Sequence, residues 1–333
     1  MNNLVFIGIV ILLVLVSCVF LFFSDSFIKQ KDGFENEIKI FNCEKKIRLL
    51  DLINDNDELY GIIFYPSNIS ITIYKNNYLI ALRYINYDIE NNIIPKNNIS
   101  INKFLTLNTN FQLINTETII PNELIINNIS NNIIGIEDIK IFNDNNFLKI
   151  IGTTQNANND IGIITGIYDY DTNTIKNKYF IKNTFNFQNI EKNWVYFKNN
   201  NDVNIIYKWY PLQICEIKND KLYLLEEKLM PSFFKNARGS TCGIKYNNEI
   251  WFIIHFNEYS NYYHSIVIFD ESMKLKMYSE KFKFENYKIE FCLGFLINEN
   301  KFIISYTLND KNPTIGVYDI NDIIKLKWTY NNR

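Results

Sequence analysis

Charged, amide, hydroxyl and histidine side chains recur in clusters along this 333-residue chain, each at or beside the end of a short apolar run. Carboxylates can move protons, Arg and Lys can bind phosphoryl groups, and aromatic rings can pack against a ring-shaped polar ligand. In chain order the clusters are "RYINY" (Arg83–Tyr87), "GIEDIKIF" (Gly135–Phe142), "EKNW" (Glu191–Trp194), "YKWYP" (Tyr207–Pro211), "RGST" (Arg238–Thr241), His255, "YYH" (Tyr262–His264), "IEFCLG" (Ile289–Gly294) and "SYTLND" (Ser305–Asp310). This spacing suits a binding site at which several structural units converge.

The runs that carry these clusters predict β-strands. They are about 5 to 8 residues long, rich in Ile, Tyr, Phe and Val, and bounded by Asn, Asp and Gly. No long stretch outside the N-terminus repeats its apolar residues with the helical period. We therefore predict an all-β domain over residues 40–333.

Hairpin signals separate the predicted strands. Stretches such as "IYKNNYLIAL", "IFNDNNFLKII" and "IKYNNEIWFII" place Asn or Asp at a turn between two apolar runs. They recur at roughly forty to sixty residues, close to the spacing of propeller blades. The pattern favours a β-propeller over a sandwich, because a propeller gathers its loops around a central funnel. The spacing alone leaves the number of blades open.

The N-terminus is different in character. An uncharged apolar run from Leu4 to Phe23 has about the twenty residues that a membrane-spanning helix needs. We predict a transmembrane anchor over residues 1–24 and a juxtamembrane stalk over residues 25–39, with a cleaved signal peptide as the alternative. Lys29 and Lys31 would place the following flank in the cytoplasm by the positive-inside rule.

Composition excludes several function classes. A hydrophobic fraction of 47% is ample for a core, and a net charge of -2 provides no basic excess for nucleic acid. The chain has no C-x-x-C pair and no histidine set at zinc-ligand spacing, so no metal site is predicted. No G-x-G-x-x-G motif supports a Rossmann nucleotide site. Apart from Cys18 in the apolar run, the cysteines could form disulfides or be small buried residues: Cys43, Cys215, Cys242 and Cys292.

Taken in order, the polar clusters resemble those of the five-bladed propeller glycosidase-like proteins. The branch is that of the β-mannoside phosphorylases and the yeast β-1,2-mannosyltransferases, and the resemblance spans about Tyr78 to Asp319. It implies a five-bladed β-propeller, preceded here by one N-terminal transmembrane helix. The resemblance also favours placing the β-domain on the lumenal or extracellular side of the membrane. This is the opposite of the orientation that Lys29 and Lys31 indicate.

The resemblance implies a catalytic role for an acidic pair. In the phosphorylases an acidic residue at the end of such a strand is a proton donor or relay and is usually followed by Pro-Arg. Here Asp138 holds that place, with Glu137 as a substrate ligand or alternative base, and Ile139 and Lys140 stand instead of Pro-Arg. A solvated acidic turn is the alternative.

The remaining clusters would bind substrate. Lys192, Arg238 and His255 would meet a phosphate-bearing group, and Trp194 would offer its face to a sugar ring unless it packs between blades. The implied substrate-binding set is Arg83, Asn86, Lys192, Asn193, Trp194, Tyr207, Arg238, His255, Tyr263, His264, Glu290 and Asp310.

These expectations combine into a membrane-anchored glycosyltransferase. It would move a hexose, with mannose as a candidate, from a sugar nucleotide or hexose phosphate donor to a glycan acceptor. The alternatives are a glycoside phosphorylase or hydrolase, and a catalytically inactive glycan-binding propeller. A plain interaction protein would have no concave polar site.

Overall fold

The computed structural model describes residues 38–54, 56–88, 91, 93–125, 132–156, 158–185, 188–199 and 201–331. Contacts divide the chain into two units, Met1–Lys39 and Ile40–Arg333. The predicted transmembrane anchor and almost all of the predicted stalk lie outside the described residues. Within these ranges no helix has the length and apolar character needed to span a bilayer.

The chain is nearly all β. Before the sheets come two short strands, β1 (Lys39–Ile40) and β2 (Lys45–Arg48). Sheet 1 contains β3 (Asp57–Leu59), β4 (Ile62–Tyr74), β5 (Asn77–Ile85), β6 (Asn98–Leu107), β7 (Leu113–Ile119) and β8 (Ile133–Ile134). Sheet 2 contains β9 (Glu137–Asp144), β10 (Phe147–Gln155), β11 (Ile161–Asp169) and β12 (Thr174–Phe180). Sheet 3 contains β13 (Lys182–Asn183), β14 (Val195–Asn199), β15 (Asp202–Trp209), β16 (Leu212–Lys218) and β17 (Lys221–Lys228).

Two more sheets follow. Sheet 4 contains β18 (Arg238–Gly239), β19 (Ile244–Tyr246), β20 (Glu249–Glu258), β21 (Asn261–Asp270), β22 (Leu275–Ser279) and β23 (Phe282–Lys283). Sheet 5 contains β24 (Glu290–Asn298), β25 (Lys301–Leu308) and β26 (Asn312–Asp319). A last strand, β27 (Trp328–Tyr330), returns to β22 of sheet 4. The helices are short: α1 (Asn122–Ile125), α2 (Ile320–Ile324) and two 3-10 turns, Leu49–Asp51 and Ser232–Asn236.

The Asn-rich hairpins form as the sequence predicts. In the turns Lys75-Asn76, Asn145-Asn146 and Asn247-Asn248 both central residues have positive φ, which two-residue type I′ hairpins require. Asn tolerates this left-handed conformation better than most residues. These turns set the register of the long antiparallel pairs β4–β5, β9–β10 and β19–β20.

The sheets meet around a centre in chain order. Strand β4 contacts β9, β9 contacts β14, β14 contacts β19, β19 contacts β24, and β24 returns to β4. The side chain of Thr307 donates to the Ser67 carbonyl at 3.0 Å, and the Gly243 amide donates to the Tyr196 carbonyl at 2.7 Å. These contacts confirm a nearly all-β, propeller-like fold. A cavity of about 300 Å³ is lined by residues from or beside these five central strands.

The ring is completed by chain from both ends of the domain. Strand β2 pairs antiparallel with β26, so sheet 5 combines residues 45–48 with residues 312–319. Ile47 of β2 is buried in a cluster with Ile315, Val317 and Ile303. Strand β2 therefore fastens the last sheet of the ring beside the first.

The four cysteines of the described chain are free thiols. Cys215, Cys242 and Cys292 are buried, and burial raises the pKa of the Cys242 thiol to about 11 and that of Cys215 to about 12. The sequence left two roles open, a disulfide partner or a small buried residue. In the structure these three cysteines are small buried residues.

We predict that Ile47→Ala lowers the free energy of unfolding by about 2–5 kcal/mol, because it leaves a cavity in this closing cluster. Urea unfolding of the full-length chain measures the change. Ile114→Ala is the matched control, since Ile114 also lies in a strand but is 57% exposed, and it should change stability by less than about 0.5 kcal/mol. Equal effects of the two substitutions would contradict the role of β2.

Candidate functional site

A buried arginine holds the predicted acidic pair. Arg83 of β5 is 5% exposed, and its Nη1 donates to Asp138 Oδ1 at 3.1 Å while its Nη2 pairs with Glu137 Oε1. Its Nε donates to the Ser100 hydroxyl at 2.8 Å. Burial lowers the pKa of Arg83, but the charges of Glu137 and Asp138 outweigh it and raise the pKa above its usual value. Strands of sheets 1 and 2 are thus joined through two ion pairs.

Asp138 is also held by its backbone and by an amide. Its φ of 53° lies in the left-handed region, which turns the start of β9 and is costly for most side chains. The buried Asn68 donates from Nδ2 to Asp138 Oδ1 at 2.9 Å. Asn68 was absent from the predicted set, because a lone Asn in an Asn-rich chain gives no sequence signal.

A third carboxyl belongs to the same cluster. Asp310 lies in the turn between β25 and β26 with a φ of 56°. Burial and the charge of Asp138 raise its pKa, while the charge of Arg83 lowers it. The hydroxyl of Tyr87 responds to the same groups: burial raises its pKa, Arg83 lowers it, and nearby carboxylates including Asp310 raise it. Arg83 of sheet 1 and Asp138 of sheet 2 are in contact, and Asp310 of sheet 5 is near enough for both of their charges to influence its pKa.

A cationic cavity of about 280 Å³ lies between sheets 3 and 4. The exposed side chains of Lys192, Lys208 and Arg238 lie on its wall. A Cβ at position 239 would collide with the Asn193 carbonyl oxygen, so the glycine there permits the two segments to approach closely. The full lining is Gln188, Ile190, Glu191, Lys192, Asn193, Trp194, Tyr207, Lys208, Trp209, Ala237, Arg238 and Gly239.

The same cavity contains a carboxyl that the predicted set omitted. Glu191 Oε1 accepts from Asn183 Nδ2 at 2.9 Å and from the Tyr207 hydroxyl at 3.2 Å. Burial raises its pKa, and these hydrogen bonds lower it by a smaller amount. Trp194 is 1% exposed and packs edge-on against Tyr207, with ring centroids 5.2 Å apart. The Trp194 ring therefore packs in the core between sheets and does not present an open face to a sugar.

His255 lies in β20 opposite Arg238. Its Nδ1 is 2.8 Å from the Ser240 hydroxyl, and its ring stacks parallel to Tyr262 at 5.8 Å between centroids. Burial lowers the pKa of His255 well below its ordinary value, and neighbouring cations including Arg238 and Lys192 lower it further. His255 is therefore a neutral hydrogen-bonding group at neutral pH.

Tyr262 connects the carboxylate and cationic sides. Burial raises the pKa of its hydroxyl, Asp310 raises it further and Arg238 lowers it, with Asp138 also contributing. The predicted set contained the next residue, Tyr263, which packs against an apolar cluster instead. Adjacent residues of a strand point to opposite faces of the sheet. His255 pairs with His264, so Tyr262, two residues before His264, lies on the same face as His255, and Tyr263 lies on the other face.

His264 is enclosed by aromatic rings. Its ring centroid is 4.5 Å from that of Phe284 and 6.0 Å from that of Phe282. Neither ring nitrogen has a hydrogen-bond partner among the described residues. Burial lowers the pKa of His264 to about 3.

Two other predicted residues are engaged in loops. Asn86 donates to the Asn97 carbonyl at 3.0 Å and accepts from the Ile99 amide at 2.8 Å. Glu290 is fully buried and accepts from three amides of residues 284–287. Neither the Asn86 carboxamide nor the Glu290 carboxylate contacts the Arg83 cluster among the described residues.

Lys140, which stands where the phosphorylases have Arg, is a buried cation two residues along β9 from Asp138. It is 3% exposed, and burial lowers its pKa while the charge of Asp138 raises it. Lys140 therefore adds a buried basic group to β9, near enough for the charge of Asp138 to influence its pKa. Within the described ranges no group of three or more His, Cys, Asp or Glu side chains is arranged to hold a metal ion.

We predict that His264→Phe makes stability less sensitive to acid. The pKa of His264 is about 3 in the folded protein but near 6.5 when unfolded, so the unfolded chain binds more protons and stability falls as pH drops below about 6.5. Between pH 6 and pH 5 the wild type should lose about 1 kcal/mol more than the variant. Urea unfolding at both pH values measures this difference, and equal losses would show that His264 is protonated in the folded state.

Comparison with known proteins identifies the fold. No protein-family model matches the sequence, and no curated protein matches it. A β-1,2-mannobiose phosphorylase from Listeria innocua, in complex with β-1,2-mannobiose, is similar with a TM-score of 0.59 and 11% identity over 84% of this chain and 98% of that chain. A mannose phosphorylase from Leishmania mexicana, in complex with phosphate ion, has a TM-score of 0.53 and 11% identity over 90% and 95% of the two chains.

A third structure comes from the family of mannoside phosphorylases that contains hydrolases of β-1,2 mannosidic linkages. Its TM-score is 0.56, with 10% identity over 86% of this chain and 97% of that chain. At these identities the similarity concerns the fold alone. The chain shares the propeller-like fold of these mannoside phosphorylase structures.

Proposed function

We propose that this protein is a carbohydrate-active enzyme of the glycoside phosphorylase or hydrolase type, with a β-mannoside as the candidate substrate, and that its five sheets are the blades of a five-bladed propeller. The observations that carry the proposal are the carboxylate pair bound by Arg83 and the cavity whose wall carries Arg238 and Lys192. Tyr262, which is influenced by charges on both sides, supports one continuous cleft. The names of the similar structures support the reaction class.

The chemistry requires both sides of the cleft. In phosphorolysis a phosphate oxygen would attack the anomeric carbon, the bond from that carbon to the glycosidic oxygen would break, and the leaving oxygen would take a proton from a carboxyl group. Arg238 and Lys192 would hold the phosphate, since guanidinium and ammonium groups bind phosphoryl oxygens. In hydrolysis water would replace phosphate as the nucleophile.

A glycosyltransferase is the second candidate. Its support is the apolar run from Leu4 to Phe23, because enzymes that build glycans are often tethered to membranes. The same cations would stabilise the phosphate-bearing leaving group of a sugar nucleotide. The membrane anchor and a lumenal or extracellular location remain predictions from the sequence.

A glycan-binding propeller without activity is less well supported. Such a protein would not need both a carboxylate pair and cationic side chains in its binding site. Here the pair is positioned by an arginine at 5% exposure and by a buried amide, an arrangement suited to a reacting group.

We predict that the full-length protein releases hexose 1-phosphate from β-manno-oligosaccharides when phosphate is supplied. Asp138→Asn should lower kcat/KM by about 10²–10⁴-fold, the usual contribution of a positioned acid or base or of its charge. Arg238→Gln should raise the KM for phosphate with a smaller effect on kcat. Lys235→Gln, an exposed cation outside the cavity lining, is the control and should behave as wild type.

A donor panel distinguishes the alternatives. Hexose release that does not depend on phosphate would identify a hydrolase. Product from sugar nucleotides alone would establish the transferase. Glycan binding without product from any donor would contradict the proposal and support the inactive propeller.

A further inference from the structure

Strand β4 has a β-bulge opposite Arg83. Its pairing with β5 shifts register between Pro66 and Ile69. Two residues of β4, Ser67 and Asn68, therefore stand opposite the single residue Arg83. Bulges of this kind re-aim a side chain and are common next to active sites. This one places the amide of Asn68, which is 5% exposed, beside the start of β9.

Strand β9 has a matching bulge. Its pairing with β10 shifts register between residues 151 and 153, so Asp138 and Ile139 stand opposite the single residue Gly152. A Cβ at position 152 would collide with the Glu137 carbonyl oxygen, so the glycine permits this bulge. Together with the φ of 53° at Asp138, the bulge sets the direction in which the carboxyl leaves the strand.

The side chains of Asn68 and Asp138 meet across the two bulges. Asn68 Nδ2 donates to Asp138 Oδ1 at 2.9 Å, and Arg83 Nη1 donates to the same oxygen at 3.1 Å. Within the described ranges no hydrogen bond reaches the other oxygen, Oδ2, and the Asp138 side chain is 25% exposed. The carboxyl therefore has one oxygen held by two donors and one that is left for a ligand.

The backbone on both sides of Asn68 is held by sheet 5. The Thr307 hydroxyl donates to the Ser67 carbonyl at 3.0 Å, and the Ser305 hydroxyl donates to the Ile69 carbonyl at 3.3 Å. Ser305 and Thr307 are fully buried. Asn68 is therefore fixed from sheet 5 while its amide contacts sheet 2, so it can hold Asp138 in one place.

The contact with Asp138 accounts for the orientation of the Asn68 amide. The NH2 group has to face the carboxylate, because the amide oxygen and a carboxylate oxygen are both acceptors. Asn68 Oδ1 has no partner among the described residues. The hydrogen bond to Asp138 is thus the one that this amide makes there.

We propose that Asn68 is a positioning residue: with Arg83 it fixes Oδ1 of Asp138, so that Asp138 meets the substrate through Oδ2. The inference rests on the proposed function. Arg83 alone would leave the carboxyl free to rotate about its bond from Cβ to Cγ, because one N–H···O contact does not define a plane. A second donor from a different strand removes this freedom, and a fixed geometry of the reacting groups lowers the barrier.

The first test separates positioning from binding. Asn68→Ala should lower kcat for a β-manno-oligosaccharide by about 10–100-fold, the scale of loss that follows when a reacting group is misplaced by about 1 Å. KM should change by less than about threefold, since Asn68 acts through Asp138 and not on the substrate. Asn68→Asp, which keeps the size of the side chain but replaces the donor by an acceptor, should be at least as impaired.

Asn102 offers a matched control. It is also a buried Asn of sheet 1 with an unpartnered Oδ1 among the described residues, but its Nδ2 donates to the backbone carbonyl of Ile136 at 3.0 Å. Asn102→Ala should therefore lower stability in urea unfolding yet keep kcat within about threefold of wild type. Equal losses of kcat in Asn68→Ala and Asn102→Ala would show that the loss of any buried amide is enough, and would overturn the inference.

A double-mutant cycle identifies the partner of Asn68. In the Asp138→Asn protein, Asn68→Ala should lower kcat by less than about threefold further, because the effects of residues that act as a unit are not additive. A second loss as large as the first would mean that Asn68 acts independently of Asp138, which contradicts the proposal.

A further test needs no activity. In the full-length protein labelled with nitrogen-15 at its Asn side chains, the NH2 signals that disappear in Asn68→Ala belong to Asn68. Asp138→Ala should speed the exchange of these protons with water by about tenfold, the factor that corresponds to one hydrogen bond of ordinary strength. The Asn102 signals should not change. Unchanged exchange at Asn68 would show that it does not hold Asp138.

These experiments separate the inference from the proposed function. Glycoside cleavage with wild-type kcat in Asn68→Ala would leave the proposed function standing and overturn the role of Asn68. If the wild type cleaves no glycoside, the proposed function fails, and the role of Asn68 in catalysis fails with it even where proton exchange shows the contact.

Discussion

The contact between Arg83 and the two carboxylates of β9 is the interaction on which the arrangement of the cleft depends. Arg83 is buried on sheet 1, and Glu137 and Asp138 begin β9, the strand at one edge of sheet 2. Removing a charge from water is costly unless good partners replace it, and here two carboxylates and the Ser100 hydroxyl do so. The two ion pairs therefore fix one boundary between sheets and hold both carboxylates in place.

Much of the fold could be predicted from the sequence because its signals are local. Turns such as Asn145-Asn146 and Asn247-Asn248 can be predicted from residue type, since few side chains accept positive φ at both positions. The assignment of β2 to the last sheet could not be predicted this way. That pairing joins residues 45–48 to residues 314–317, and no local pattern encodes so distant a partner.

The site was predictable as a set of clusters but not as a set of contacts. Resemblance brought forward Arg83, Asp138, Arg238 and Asp310, and the structure shows Arg83 and Asp138 in direct contact. It could not reveal that Arg83 binds the carboxylates instead of presenting its charge to a ligand. The prediction named Tyr263, whereas Tyr262 lies on the side of the strand that carries His255. That distinction requires the register of β20 with β21.

The pairing of β2 with the last sheet also affects the order in which the domain folds. Asp310 lies near the end of the chain and Arg83 near the beginning of the domain, so their encounter requires the last sheet to be seated against the first. Contacts between distant segments form late and slowly, because a long loop must be closed first. A ribosome-bound or truncated chain could build its early sheets yet would lack a complete cleft. The set of polar side chains around Arg83 would thus be complete only when synthesis of the whole domain is finished.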